Sequence, residues 1–312
     1  MTVKLGYLLP TREQIMLGRP EVAPMLALAE QAEALGFDSI WVGDSITARP
    51  RHEPLTLLAA VAARTRRVQL GTAVLLPALR NPVVLAHQLA TLDQIAEGRL
   101  ILGIGAATDA PSIRDEFTAC GVPFEARGTR MMEAVRLCRA LWAGGPVDWD
   151  GRWTLKGQQV GPLPHSPGGP PIWIGGTVPA TLRRVARELD GWFPSSLDAA
   201  GFAAKWPEFQ AAAATEGRDP AAITGAVYLT MSIDDDAAAA TANVHSFLRS
   251  YYGDRADISS KLGPCYGGGV EGAVAFLRGF IKAGASHLML RFCGAPEKQM
   301  QMLAGVRGQL PG

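Results

Sequence analysis

Three stretches of this 312-residue chain carry residue types and spacings that could do chemistry. In Pro170-Pro171-Ile172-Trp173-Ile174-Gly175-Gly176-Thr177 a short apolar run meets two glycines, and Val178-Pro179-Ala180-Thr181-Leu182 then opens a predicted helix. Proline suits a first helical turn, which has no intrahelical N–H bond to lose. The glycines let backbone approach a ligand closely, and the free amides and positive dipole end of a helix start form an anion site. A tight turn that merely reverses the chain is the plainer reading. Asp44 closes the run Trp41-Val42-Gly43; a carboxylate there could accept a hydrogen bond from a ligand or move a proton, or could cap or pair internally. Gly103-Ile104-Gly105 falls short of a dinucleotide fingerprint, because Thr108 stands where the third glycine belongs. Ala106 and Ala107 are small enough to leave room for a flat ring.

Other chemistries find less support. The five histidines, His52, His87, His165, His245 and His287, show no metal-ligand spacing. His52, between Arg51 and Glu53, is the one expected at a rim, where a solvated loop residue is the alternative. Cys120, Cys138, Cys265 and Cys293 make no CxxC pair and read as reduced thiols of a cytoplasmic protein. Asp234-Asp235-Asp236 reads as an acidic helix start, and Arg64 to Arg67 as the solvated end of a helix. Thirty basic against 29 acidic side chains leave a formal charge of +1, without the basic excess of a nucleic-acid binder. No apolar run reaches membrane-spanning length, and no secretory signal is visible.

The elements that must position these residues alternate. Apolar strands are predicted at 3–9, 38–42, 68–74, 100–104, 172–174, 191–194, 223–233 and 287–292. Helices are predicted at 22–35, 54–64, 82–95, 129–142, 179–188, 202–215, 235–251, 270–283 and 297–306. Residues 144–169 and 252–269 show no period and are expected as irregular excursions over a ligand mouth. With 48% hydrophobic residues the chain can bury a large core. Eight strands, several apolar throughout, predict one (β/α)8 TIM barrel over residues 1–312, with irregular insertions at its C-terminal face. Chemistry in such barrels sits at the carboxyl ends of the strands. Those ends bring Asp44, Thr72 to Val74, Gly105 to Ala107 and Gly175 to Thr177 to one rim, with Arg291 at the end of the last strand.

At this point the chain resembles the bacterial-luciferase-like flavin or deazaflavin oxidoreductases. The resemblance rests on Leu35 to Asp44, Leu70 to Val74, Arg80-Asn81-Pro82, Ala90 to Asp93, Gly98 to Gly105, Pro171 to Gly176 and Asp190-Gly191-Trp192. Glu116-Phe117, Gly121 to Phe124, Arg127 and Glu133 fit as well. These short motifs follow the family's order. The resemblance implies coenzyme F420, or alternatively FMN, with its phosphate on Gly175, Gly176 and Thr177 and its ring against Asp44, Thr72, Ala73 and Val74, beside Gly105, Ala106 and Ala107. It also implies a non-proline cis peptide at Thr72-Ala73 or Ala73-Val74, and a homodimer. Ser45 stands where many deazaflavin members carry a histidine, which leaves Asp44, His52 or a substrate group to handle a proton.

The expected function is hydride transfer between F420 and a small organic substrate. An FMN-dependent monooxygenase fed by a separate reductase is the alternative. A cofactor-free barrel lyase or isomerase acting on a phosphorylated sugar would use the same anion site but would need strand-end lysines or paired carboxylates. A non-catalytic flavin-binding barrel completes the set.

Overall fold

The computed structural model describes residues 2–194, 196–253 and 263–310. Eight parallel strands form the barrel: β1 Lys4–Leu8, β2 Ser39–Val42, β3 Gln69–Thr72, β4 Leu100–Ile104, β5 Ile172–Ile174, β6 Gly191–Trp192, β7 Thr224–Ile233 and β8 His287–Phe292. Each pairs with the next in sequence, β8 pairs with β1, and the ring closes. This is the expected (β/α)8 barrel. Its registers include Tyr7 opposite Ile40 and Leu290, and Leu290 opposite Leu229.

The chain divides into two compact units, neither continuous in sequence. One comprises Met1–Pro10, Ala27–Trp41 and Trp173–Gly312, the other Thr11–Leu26 and Val42–Ile172. In the first unit, Trp41 of β2 meets Trp173 of β5 at 5.4 Å between ring centroids and His287 of β8 at 5.6 Å. Strands two and three places apart in a ring can touch only through its lumen, so these side chains fill the barrel interior. Trp41 Nε1 donates to Ser39 Oγ at 2.7 Å, and Ser39 Oγ is 2.7 Å from His287 Nε2. Gly6 must lack a side chain, because a Cβ there would run into Ser39 and Trp41. The outer layer of this unit stacks Trp192, Phe202, Trp206 and Phe209 nearly in parallel.

In the second unit, helices Pro54–Arg64 and Pro82–Ile95 match the predicted bounds. Each begins with proline after a capping side chain: Glu53 accepts from Thr56 N, and Asn81 accepts from Val83 N and Val84 N. Helices Thr11–Met16 and Pro111–Ala119 were not predicted. The first is short, and the second carries too few apolar residues for a clear period. Strand β3 ends at Thr72, two residues early, because its backbone turns at Ala73, whose N–H goes to Val42 O.

Residues 144–169 contain a hairpin, Val147–Asp150 against Thr154–Gln158, held to helix Arg127–Trp142 by Glu133, which accepts from Arg152 N and pairs with its guanidinium. The expectation that this whole excursion covers the mouth is corrected for its second half. Gln94 Nε2 donates to Leu163 O, Ser166 N donates to Asp93 Oδ2, and His165 lies against Gly98. All three contacts lie where the chain enters β4, at the end of the barrel opposite the strand carboxyl termini. Much of the second irregular stretch, 254–262, lies outside the described residues; Cys265–Gly268 forms a short unpredicted strand beside β7. No described helix is long and apolar enough to cross a membrane.

Candidate active site at the strand ends

Where β2 leaves the barrel, the chain passes Gly43, Asp44 and Ser45, all buried. Asp44 Oδ2 accepts from Leu76 N at 2.9 Å and from Arg80 Nη1 at 2.5 Å, and Oδ1 accepts from Arg80 Nη2 at 3.2 Å. The Asp44 side chain is only 1% exposed. The internal salt link that the sequence left open is therefore present. A fork-to-fork pair of this kind is short, charge-assisted and directional. Burial works against the Arg80 charge, but Asp44 and then Glu53, 3.2 Å away, raise its pKa above the usual value. The pair ties the end of β2 to the segment after β3.

Ser45 is committed as well. Its hydroxyl donates to Glu116 Oε1 at 2.8 Å and accepts from Arg49 N at 3.0 Å. The same Glu116 oxygen receives Ile46 N at 2.5 Å and Thr47 N at 2.8 Å. Glu116 is 1% exposed, so the loop after β2 is wound around a buried carboxylate that fills a nest of backbone amides. His52 sits half-buried with Nδ1 3.3 Å from Thr11 O and Nε2 2.9 Å from Pro20 O. Both ring nitrogens face carbonyls, and the histidine stitches its loop to residues 11–20.

Thr72 Oγ1 donates to Gly103 O at 2.8 Å and is fully buried, which fastens β3 to β4. The peptide Ala73–Val74 is cis, at one of the two positions implied by the family resemblance. Val74 then lies on Gly105, where a Cβ would come within 2.6 Å of Val74 Cγ2. Glycine at 105 thus makes room for Val74. Ala107 takes φ 62, uncommon for a residue with a side chain, and with Ala106 is half-buried.

In the other unit, Gly175, Gly176 and Thr177 follow β5. Gly176 has φ 105, and its carbonyl accepts from Trp192 Nε1 at 2.8 Å. Helix Pro179–Glu188 begins after Val178, and no side chain caps it. Thr181 is buried in its first turn, with Oγ1 3.2 Å from the place a Gly176 Cβ would occupy. A glycine turn followed by uncapped amides suits a phosphate. Arg291, at the end of β8 and 3% exposed, donates to Thr230 Oγ1 at 2.7 Å and lies over the rings of Tyr228, Phe247 and Tyr251.

Sequence reasoning missed the roles of Arg80 and Glu116. Both stand inside quoted motifs, yet no periodicity says that Arg80 returns to Asp44 across 36 residues, or Glu116 to Ser45 across 71. No described group of three His, Cys, Asp or Glu residues could hold a metal ion, and none of the four cysteines is in a disulfide.

The strands close into a parallel (β/α)8 barrel. Residues 3–299 match the family described as luciferase-like monooxygenase, and the chain belongs to that family. It is 33% identical over 250 residues to an F420-dependent glucose-6-phosphate dehydrogenase of Rhodococcus erythropolis, covering 77% of this chain and 72% of that protein. The protein of the same description from Mycobacterium avium is 37% identical over 205 residues, covering 62% of this chain and 57% of its own. Among solved structures, an F420-dependent secondary alcohol dehydrogenase in complex with an F420-acetone adduct superposes with TM-score 0.85 over all of both chains at 20% identity. A monooxygenase from Streptomyces bottropensis superposes with TM-score 0.83 over 97% of this chain and 98% of its own at 25% identity.

Proposed function

We propose that the protein is an F420-dependent oxidoreductase that moves a hydride to or from a small organic substrate. The observation that carries this reading is the 33% identity, over 77% of the chain, to dehydrogenases described as F420-dependent. The deazaflavin supplies the hydride chemistry when bound; the protein supplies position, electrostatics and exclusion of water.

The residues fit that group. Gly175, Gly176 and Thr177, with the uncapped helix behind them, hold its phosphate. The backbone of Thr72, Ala73 and Val74 addresses the ring, and Gly105, Ala106 and Ala107 leave space beside it. Asp44 acts through position: it fixes the segment after β3 by holding Leu76 N and Arg80. Ser45 is bonded into the Glu116 nest, and a proton needed by the substrate comes from His52, released from the Thr11 or Pro20 carbonyl that it faces, or from the substrate itself. The same reading carries a cytoplasmic homodimer.

FMN is the second reading, favoured by the likeness to a solved monooxygenase at 25% identity; it requires oxygen and a separate reductase. Adding F420 and FMN separately to purified apoprotein and following fluorescence distinguishes them. Tight binding of F420, with bleaching of its visible band by a hydride-donating substrate, is expected. Binding of FMN alone would replace this reading, and binding of neither would remove it.

A further inference from the structure

Strand β5 hands the chain to Gly175, Gly176 and Thr177, and helix Pro179–Glu188 begins after Val178. Gly176 takes φ 105, a backbone state that favours glycine. Its carbonyl is held by Trp192 of β6, whose Nε1 donates to Gly176 O at 2.8 Å. Trp192 is itself fully buried, stacked with Phe202, Trp206 and Phe209 in the outer layer. In a planar trans peptide the C=O and N–H point opposite ways. Holding the Gly176 carbonyl on the Trp192 indole therefore turns the Thr177 N–H away from that aromatic stack. Among the described residues, the amides of Gly176, Thr177 and Val178 donate to no acceptor.

Thr181 stands against this turn. It is 4% exposed, and its Oγ1 lies 3.2 Å from the place a Gly176 Cβ would take, nearer than its Cγ2 at 3.9 Å. The hydroxyl, not the methyl group, faces the turn. Thr91, Thr118, Thr215 and Thr241 each donate the hydroxyl to the carbonyl four residues earlier in their helices, a common way for a helical threonine to satisfy itself. The Thr181 hydroxyl makes no such bond, nor one with any other described group. A buried hydroxyl left without a partner is costly, so an acceptor from outside the chain is expected at this place.

We infer that Thr181 binds the phosphate of the cofactor, its side-chain hydroxyl adding a donor to the backbone amides of the glycine turn. This rests on the cofactor reading above and extends the phosphate site from main chain to a buried side chain. A phosphate offers acceptor oxygens to these donors, and a hydrogen bond to an ionised acceptor is roughly twice as strong as a neutral one. The positive end of the helix dipole lies at the same spot. Gly176 serves the arrangement twice: its φ shapes the turn, and a Cβ there would press on the Thr181 oxygen.

The test is a fluorescence titration of purified protein with two ligand pairs, each differing at the phosphate: coenzyme F420 against its ribityl deazaflavin lacking phosphate and tail, and FMN against riboflavin. Thr181→Val replaces the hydroxyl by a methyl group of the same shape. It is expected to weaken the phosphate-bearing member of the bound pair about tenfold or more and to leave the phosphate-free member unchanged. Thr181→Ser, which keeps the hydroxyl, retains most of the wild-type affinity. A Thr181→Val protein that binds the phosphate-bearing ligand like the wild type overturns the inference. So does one that weakens both members alike, the mark of a merely structural role, and so does Thr181→Ser binding as weakly as Thr181→Val. A wild type that binds both members of a pair equally overturns it without any variant. Binding of FMN but not F420 removes the F420 reading alone, and the FMN pair then decides Thr181; binding of neither ring overturns both.

Discussion

Replacing Asp44 separates a positioning role from a proton-transfer role. The Asp44 carboxylate holds three donors at 2.5, 2.9 and 3.2 Å, two of them on one guanidinium. Asp44→Asn keeps the shape and can still accept from Leu76 N, but it leaves Arg80, whose side chain is 16% exposed, with the exposed carboxylate of Glu53 and a long bond to the Leu76 carbonyl. Removing one partner of a buried pair costs about 3–5 kcal/mol, because the other charge stays desolvated. The retained acceptor and Glu53 place this variant at the lower end, about 3 kcal/mol. With an unfolding entropy of about 2.1 cal/mol/K per residue, that loss lowers Tm by about 5 °C for a chain of this size.

Arg80→Met should cost at least as much, since Asp44 is the more deeply buried partner. The double variant should be less destabilised than the sum of the singles by about 2 kcal/mol, the coupling expected of residues that act as a pair. Urea unfolding at pH 7 measures all three. In steady state the pH profile of Asp44→Asn should keep both limbs, with the loss spread over cofactor affinity and kcat/KM as the segment after β3 loosens. Single variants that melt with the wild type, additive costs in the double variant, or a profile that loses one limb at unchanged stability would refute the argument and return Asp44 to proton transfer.

Other outcomes follow from the same geometry. Complete burial pushes the His287 pKa from about 6.5 down to about 3, so the folded state holds the ring neutral. Its contribution is intact above pH 6.5 and is lost as pH falls through 6.5 towards 3, amounting to about 2 kcal/mol by pH 5; the urea midpoint should fall accordingly between pH 7 and 5, and an unchanged midpoint would count against it. Glu116→Gln leaves a neutral oxygen facing Ser45, Ile46 and Thr47, at a cost of about 2 kcal/mol, and the amides of residues 46–48 should exchange hydrogen markedly faster. Gly105→Ala drives a methyl group into Val74 and should cost about 1–3 kcal/mol, with Val74→Ala in the same chain restoring most of that loss.

Strand and helix positions were legible because burial on both faces leaves continuous apolar runs, as in β4 and β8, whose bounds matched. Prolines and caps set helix starts at Pro54, Pro82 and Pro179 just as visibly. The helix at Pro111–Ala119 was not legible, since its buried residues are Ile113, Glu116 and Phe117, a carboxylate among two apolar side chains. The same residue explains why the site was only half read. A carboxylate in a sequence announces charge, not partner, and Glu116 finds its donors on backbone far away along the chain. Gly105 carries a packing role the sequence did not show: it accommodates Val74.

These particulars bear on how such a barrel works. Asp44 and Glu116, the two buried carboxylates beside the ends of β2 and β3, are spent on backbone amides, a hydroxyl and one arginine. Both hold loops in place. A barrel whose cofactor carries the electrons needs a stiff rim, because a hydride moves only between atoms held close together and correctly aligned. The buried ion pair and the amide nest keep the end of β2 and the segment after β3 fixed.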